Sequence, residues 1–174
     1  MCRSRVRTPS LAPNTMSIFN KIKKNSKQEV LWEGDMFFCL LDGSPVSPGA
    51  SLIIPNREIK GLLDLNQQEW MELKLSIERT VKNLHDTDLI KKYSEMYEIG
   101  ISEKSKEYIK DVIEFLKENG FKPDAYNYGV NDGKEAGRTV PHLHIHVIPR
   151  FKGDVKDSTG GIRHIFPNKA NYRK

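Results

Sequence analysis

Between Thr139 and Pro149 the chain alternates more strictly than anywhere else, and three of its five histidines fall on one side of that alternation. Successive side chains of a strand point to opposite faces. His142, His144 and His146 therefore project together, and Leu143, Ile145 and Val147 form the opposite, core-facing stripe. Histidines satisfied within a core do not come in threes on one face, so the array points to chemistry. Two chemistries use such an array. Neutral imidazole is a frequent metal ligand, but same-face neighbours on a flat strand lie about 6.6 Å apart. Beyond the three, the chain offers only His85 and His164, and no paired cysteines. The second chemistry is nucleophilic attack on phosphorus, in which one imidazole attacks and the others hold it. Donors for phosphate oxygens lie just upstream. Asn131 and the turn Ala136-Gly137-Arg138-Thr139 supply amide, guanidinium, hydroxyl and main-chain N–H groups, and Gly137 lets the backbone approach a ligand closely.

The order of elements suggests the fold class. Glu29–Glu33 and Met36–Leu41 read as strands separated by the turn dipeptide Gly34-Asp35. Ser51–Pro55 reads as another strand after the loop Ser44–Gly49. Asn66 and Glu69 have the spacing of a capping box, and Trp70, Leu73, Ile77, Val81 and Leu84 follow at helical spacing as a core-facing stripe. A second helix is expected from about Ser105 to Asn119, closed by Gly120. Residues 86–104 are polar and weakly patterned, and Ala125–Val130 reads as a strand. Strands, then helices, then strands imply an α+β domain with an antiparallel sheet.

Composition narrows the function. Of 174 residues, 37% are hydrophobic and 29% charged, and no apolar run approaches the roughly 18 residues of a membrane span. The net charge of +5 suggests nucleic acid, but residues 1–24 hold six basic residues and no acid, which leaves the other 150 residues at −1. A nucleic-acid groove needs basic residues clustered on the folded body, so nucleic acid is not the expected partner. Residues 1–15 read as a disordered extension. A start at Met16 and a short Arg-rich targeting segment stay open beside that reading. Cys2 and Cys39 make neither a zinc motif nor a disulfide framework, which suits a reducing, cytoplasmic setting.

The run Gly137-Arg138-Thr139-Val140-Pro141-His142-Leu143-His144-Ile145-His146-Val147-Ile148-Pro149-Arg150 resembles the signature of the histidine triad (HIT) superfamily, His-φ-His-φ-His-φ-φ with φ apolar. The resemblance extends through Asp35–Arg57, Pro123–Asn131 and Gly153–Arg163, and covers about residues 29–85 and 121–172. Those last segments are similar to microbial dinucleoside polyphosphate hydrolase-like members. The resemblance implies a HIT-like α+β fold over residues 16–174, with a five-stranded antiparallel sheet, helices packed on it, and a homodimer. Residues 86–104 would be an insertion. The implied substrate is an adenine or other purine nucleotide joined through its α-phosphate to a leaving group. His144 would be the nucleophile, forming a nucleotidyl-histidine intermediate. His142 would orient it, and His146 would assist the leaving group. Asp42 would bind the ribose, Leu40 and Leu41 would help form the base pocket, and Asn131, Gly137, Arg138 and Thr139 would surround the phosphate. No metal and no cofactor would be required for the covalent step, although a divalent cation could arrive with a polyphosphate.

Three positions depart from the family pattern. Arg138 stands where Gln is usual, which would favour a more anionic leaving group. Ala50 and Glu58 each stand where His is usual. The alternatives left open are a nucleotidyltransferase of the same family, a non-catalytic nucleotide-binding module, and a metal-dependent enzyme built on the same histidines.

Overall fold

A computed structural model describes residues 16–99 and 102–171. The expectations for residues 1–15, including Cys2 and the arginines of the tail, lie outside the described residues. The chain forms α1 (Ile18–Asn25), β1 (Val30–Glu33), β2 (Phe37–Leu41), β3 (Ser51–Pro55), α2 (Gln67–Asp86), α3 (Leu89–Glu98), α4 (Glu103–Asn119), β4 (Ala125–Gly129), β5 (Ile145–Arg150) and α5 (Pro167–Ala170). The strands build one antiparallel sheet in the order β1-β2-β3-β5-β4. This is the expected α+β, five-stranded architecture. Among the described residues, no helix is long and apolar enough to cross a membrane.

The strand pleat divides the core. Phe37, Cys39, Ile53, Leu143, Ile145 and Val147 pack with Leu65 and Leu73 on the side covered by α2. Leu41 continues that side into a second cluster with Leu84 of α2, Leu89, Tyr93 and Met96 of α3, and Ile109, Val112 and Leu116 of α4. Phe38, Leu40, Leu52 and Ile54 face the other way and meet Phe19 of α1. One face of the sheet is therefore the main core. The other carries a small apolar cluster under a short helix, beside which the histidines can stand.

The helix starts follow the expected chemistry. Asn66 accepts the Glu69 amide while the Glu69 carboxylate accepts the Asn66 amide, closing the capping box of α2. Gly120 ends α4 with φ +67°. The buried stripe of α2 differs from the expected one. It runs through Glu69, Leu73, Ser76, Thr80 and Leu84, and Trp70 is 44% exposed. Glu69 and Thr80 occupy this stripe because their side chains find partners. Thr80 Oγ1, for instance, accepts from Trp32 Nε1 at 2.9 Å and donates to the Ser76 carbonyl at 2.8 Å.

Three helices go beyond the sequence-based expectation: α1, α3 and the four-residue α5. α1 is capped by Ser17, whose side chain accepts the Asn20 amide. α3 lies inside the polar, weakly patterned stretch 86–104. It starts on Asp88 and buries Leu89, Tyr93 and Met96, spaced four and three residues apart. Those three positions are the signal for it. Their separation by Lys and Glu lowers the window's mean hydropathy and hides the stripe.

Candidate active site

The three histidines come together, but not on one regular strand. The strand expected from Thr139 begins only at Ile145. His142 lies in a bend before it and His144 one residue ahead of its start, and the Leu143 amide between them bonds the Ile59 carbonyl at 2.7 Å. Proline at 141 supplies no amide, and neither does Pro55 at the end of the facing β3, so ladder pairing stops at this corner. The opposite stripe is as expected, with Leu143, Ile145 and Val147 all buried in the core. His142 is only 1% exposed and His144 7%, so the imidazole side is enclosed as well. The His144 and His146 rings stand 5.2 Å apart at 69°, and Phe19 lies 5.1 Å from the His144 ring.

Hydrogen bonds assign the ring protons. His142 Nε2 lies 2.9 Å from the Pro55 carbonyl, which can only accept, so Nε2 carries the proton. Burial lowers the His142 pKa despite the nearby Glu58, which keeps the ring neutral and makes Nδ1 an acceptor. The Ser17 hydroxyl, 2.7 Å away, donates to it. His144 Nδ1 lies 2.8 Å from the His142 main-chain carbonyl and must donate. When the His144 ring is neutral, its free lone pair is therefore on Nε2. His146 Nε2 is buried and has no hydrogen-bond partner among the described residues, and burial lowers the His146 pKa too.

The other expected positions fall into three groups. Asp42 follows β2 on the histidine side. Its Oδ1 accepts the Ser44 amide at 2.9 Å, and burial raises its pKa against the opposing pull of that bond and of His144. Leu40 lies on the same side, within the Phe19 cluster. Leu41 does not. Adjacent residues of a strand face opposite ways, and its side chain is buried against α2, α3 and α4, so its expected role in lining the base pocket is corrected. Asn131 and Gly137 are brought together, since a Cβ on Gly137 would sit 3.7 Å from Asn131 Nδ2. Gly137 has φ +94°, a conformation that favours glycine. Thr139 is exposed beside them. The Arg138 guanidinium turns away into its own protein. It donates to the Lys60 carbonyl at 2.7 Å and pairs with Asp132 at 3.5 Å.

Sequence reasoning missed Ser17, Phe19 and Tyr93. Tyr93 is fully buried, and its hydroxyl accepts the Gly49 amide at 3.1 Å. Gly49 itself has φ +79°, and a Cβ there would meet Phe121 at 2.7 Å, so only glycine fits this corner before β3. Ala50, in place of the usual His, is buried at the same corner. Glu58 accepts the Ser17 amide and the Asn20 side-chain amide.

The donor set bears on the metal alternative. Both nitrogens of His142 and Nδ1 of His144 are committed to protein groups. Among the described residues, no three His, Cys, Asp or Glu side chains are grouped to hold an ion. The arrangement suits a fixed nucleophile better than a chelate.

Comparison with known proteins agrees with the geometry. Curated relatives include a bis(5'-adenosyl)-triphosphatase of Dictyostelium discoideum, 28% identical over 132 residues that cover 76% of this chain and 66% of the relative. A bis(5'-nucleosyl)-tetraphosphatase [asymmetrical] of Schizosaccharomyces pombe is 27% identical over 143 residues, covering 82% of this chain and 60% of the relative. The chain thus spans less than two thirds of the length of these relatives. Among solved structures, a HIT family member from Bacillus subtilis matches the fold with a TM-score of 0.55 at 21% identity, over 79% of this chain and 75% of that one. The HIT domain family matches residues 23–153, three quarters of the sequence and every strand of the sheet. The chain therefore belongs to the HIT family.

Proposed function

We propose that this protein is a nucleotide hydrolase that cleaves at the nucleoside α-phosphate of dinucleoside polyphosphates or nucleoside phosphoramidates through a nucleotidyl-histidine intermediate. The observation that carries this reading is the 2.8 Å bond from His144 Nδ1 to the His142 carbonyl. It presents Nε2 as an oriented nucleophile and keeps a partner for the positive charge that develops on the ring. In the first step the Nε2 lone pair forms a bond to the α-phosphorus. The bond to the leaving group breaks, and its electron pair goes to the departing oxygen or nitrogen. His146, with its unpartnered Nε2 next to this ring, is able to hydrogen-bond the bridging or departing atom. In the second step water attacks the same phosphorus. The N–P pair returns to His144, and one water proton restores the proton that the departing atom took from His146.

Asp42 and Leu40 form the nucleoside side of the site, and Asn131, Gly137 and Thr139 the phosphate side. A divalent cation, where a polyphosphate requires one, belongs to the substrate. Dimerisation is part of the same reading. β4 pairs with β5 along one edge only, which leaves an outer edge that a second copy can extend. A cytoplasmic location suits Cys39, a buried free thiol.

The test is turnover of diadenosine tetraphosphate and an adenosine phosphoramidate by wild type and His144→Ala, each with and without chelator. The expected result is turnover that survives chelation of free metal and falls roughly 10⁴-fold or more in the variant. Comparable turnover by His144→Ala overturns the assignment.

A further inference from the structure

We infer that Ser17, at the start of α1, is a positioning residue for the histidine array, acting through His142. The inference rests on the hydrolase reading above and deepens it.

Ser17 makes three bonds at once. Its amide donates to Glu58 Oε1 at 2.8 Å, its Oγ accepts the Asn20 amide at 3.2 Å, and its hydroxyl lies 2.7 Å from His142 Nδ1. One Oγ lone pair accepts the helix cap, and the hydroxyl proton can point at the imidazole, with the Glu58 carboxylate as the other acceptor within reach. That direction is the one the site requires, because the Pro55 carbonyl already claims the Nε2 proton and leaves Nδ1 as an acceptor. Ser17 and Pro55 thus grip the ring from both nitrogens and leave it one tautomer and one orientation. The main-chain carbonyl of His142 in turn holds His144 Nδ1. Both bonds end on His142: the Ser17 hydroxyl donates to its ring and His144 Nδ1 donates to its main-chain carbonyl, so holding His142 in place also holds the nitrogen opposite the nucleophilic Nε2.

The geometry of α1 supports this role over a cap alone. Phe19 follows two residues later and packs against both rings, 5.9 Å from His142 and 5.1 Å from His144. Asn20 reaches the same Glu58 oxygen at 2.7 Å. Glu58 therefore seats both ends of the first turn, and the turn is held against the site by Ser17, Phe19 and Asn20 together. Ser17 acts by restricting a ring 125 residues away in sequence.

Two variants separate positioning from capping. Ser17→Gly removes the hydroxyl yet leaves a residue that helix N-termini accept well at the cap position. Ser17→Thr keeps both the hydroxyl and the cap. The readouts are kcat and KM for diadenosine tetraphosphate, and the ring ¹⁵N resonances of His142 in the full chain. We expect Ser17→Gly to lower kcat about tenfold or more with little change in KM. We also expect it to move the His142 Nδ1 resonance toward that of a ring with no donor on Nδ1, and Ser17→Thr to restore both. Wild-type kcat in Ser17→Gly overturns the inference whatever the spectrum shows. If wild type itself does not turn over the dinucleotide, the hydrolase reading fails and the spectrum still decides this point. A His142 resonance that moves in Ser17→Gly and returns in Ser17→Thr upholds the positioning, and an unmoved one overturns it.

Discussion

The hydroxyl of Tyr93 accepts the main-chain amide of Gly49 across 44 positions of sequence, at 3.1 Å and out of contact with water. This single bond ties α3 to the corner from which β3 begins. A few residues upstream, Ser44 donates its amide to Asp42 and meets Ser105 of α4 at 2.8 Å. The helix pair α3–α4 thus braces the loop that begins at Asp42. Tyr93→Phe keeps the ring and strands the Gly49 amide, which costs about 1–3 kcal/mol. A lower urea midpoint is expected, with a raised KM for nucleotide and little change in kcat. An unchanged midpoint means that the bond contributes nothing.

The polar stripe of α2 makes a contrasting prediction. Thr80→Val retains the side-chain shape but removes the acceptor of the buried Trp32 indole, at a cost of about 1–3 kcal/mol. Trp70→Gln, at the position that periodicity assigns to the core, costs less because the indole is 44% exposed. Denaturant titration of the two variants orders them. The reverse order means that the stripe faces the way the apolar spacing suggests.

Acid is expected to destabilise the fold through the histidines. Burial holds the pKa of His142 and His146 below the ordinary 6.5, so the unfolded chain takes up protons that the folded one refuses. Each contribution is complete above about pH 6.5 and is lost as the pH falls through the lower folded value. Burial also raises the pKa of Asp42 and Glu29, from 3.8 and 4.5. Their contribution has the opposite sign and grows as they take up protons at lower pH. A lower urea midpoint is therefore expected at about pH 5.5 than at about pH 7.5, and the difference shrinks in His146→Gln. Equal midpoints in wild type contradict the assignment of both rings as neutral.

The Arg138 guanidinium is held by the Lys60 carbonyl and Asp132. Asp132, which bonds its guanidinium, also accepts the Leu62 amide and so links two loops beside the phosphate side. Asp132→Asn keeps that acceptor and removes the competing charge. The expected result is a KM for diadenosine tetraphosphate lowered about threefold at low salt, an advantage that fades as ionic strength rises. The KM for an uncharged-leaving-group phosphoramidate is expected to stay put. A uniform change in both substrates assigns Arg138 to loop structure alone.

Much of the fold and of the site is legible in the sequence. The sheet, both long helices, the Asn66 capping box and the single face of histidines all follow from local periodicity and turn chemistry, which a short window of residues carries. The misses share a cause, which is that a short window does not show what an element packs against. α3 hides its three core residues among charges, and α1 is only eight residues long. Leu41 sits beside Leu40 in sequence, yet the pleat sends the two to opposite faces.

By itself the sequence determined that three imidazoles gather beside an apolar stripe, because Leu143, Ile145 and Val147 alternate with them, although the regular strand covers only the last of the three histidines. Tertiary structure alone decided which nitrogens of His142 and His144 are held and which one is left free. That choice rests on Ser17 and Pro55 meeting His142 from 125 and 87 positions away, and on Phe19 closing over the rings. A hydrogen bond between distant residues leaves no periodic trace in either segment. It exists only where packing brings a donor and an acceptor within about 3 Å, with water excluded.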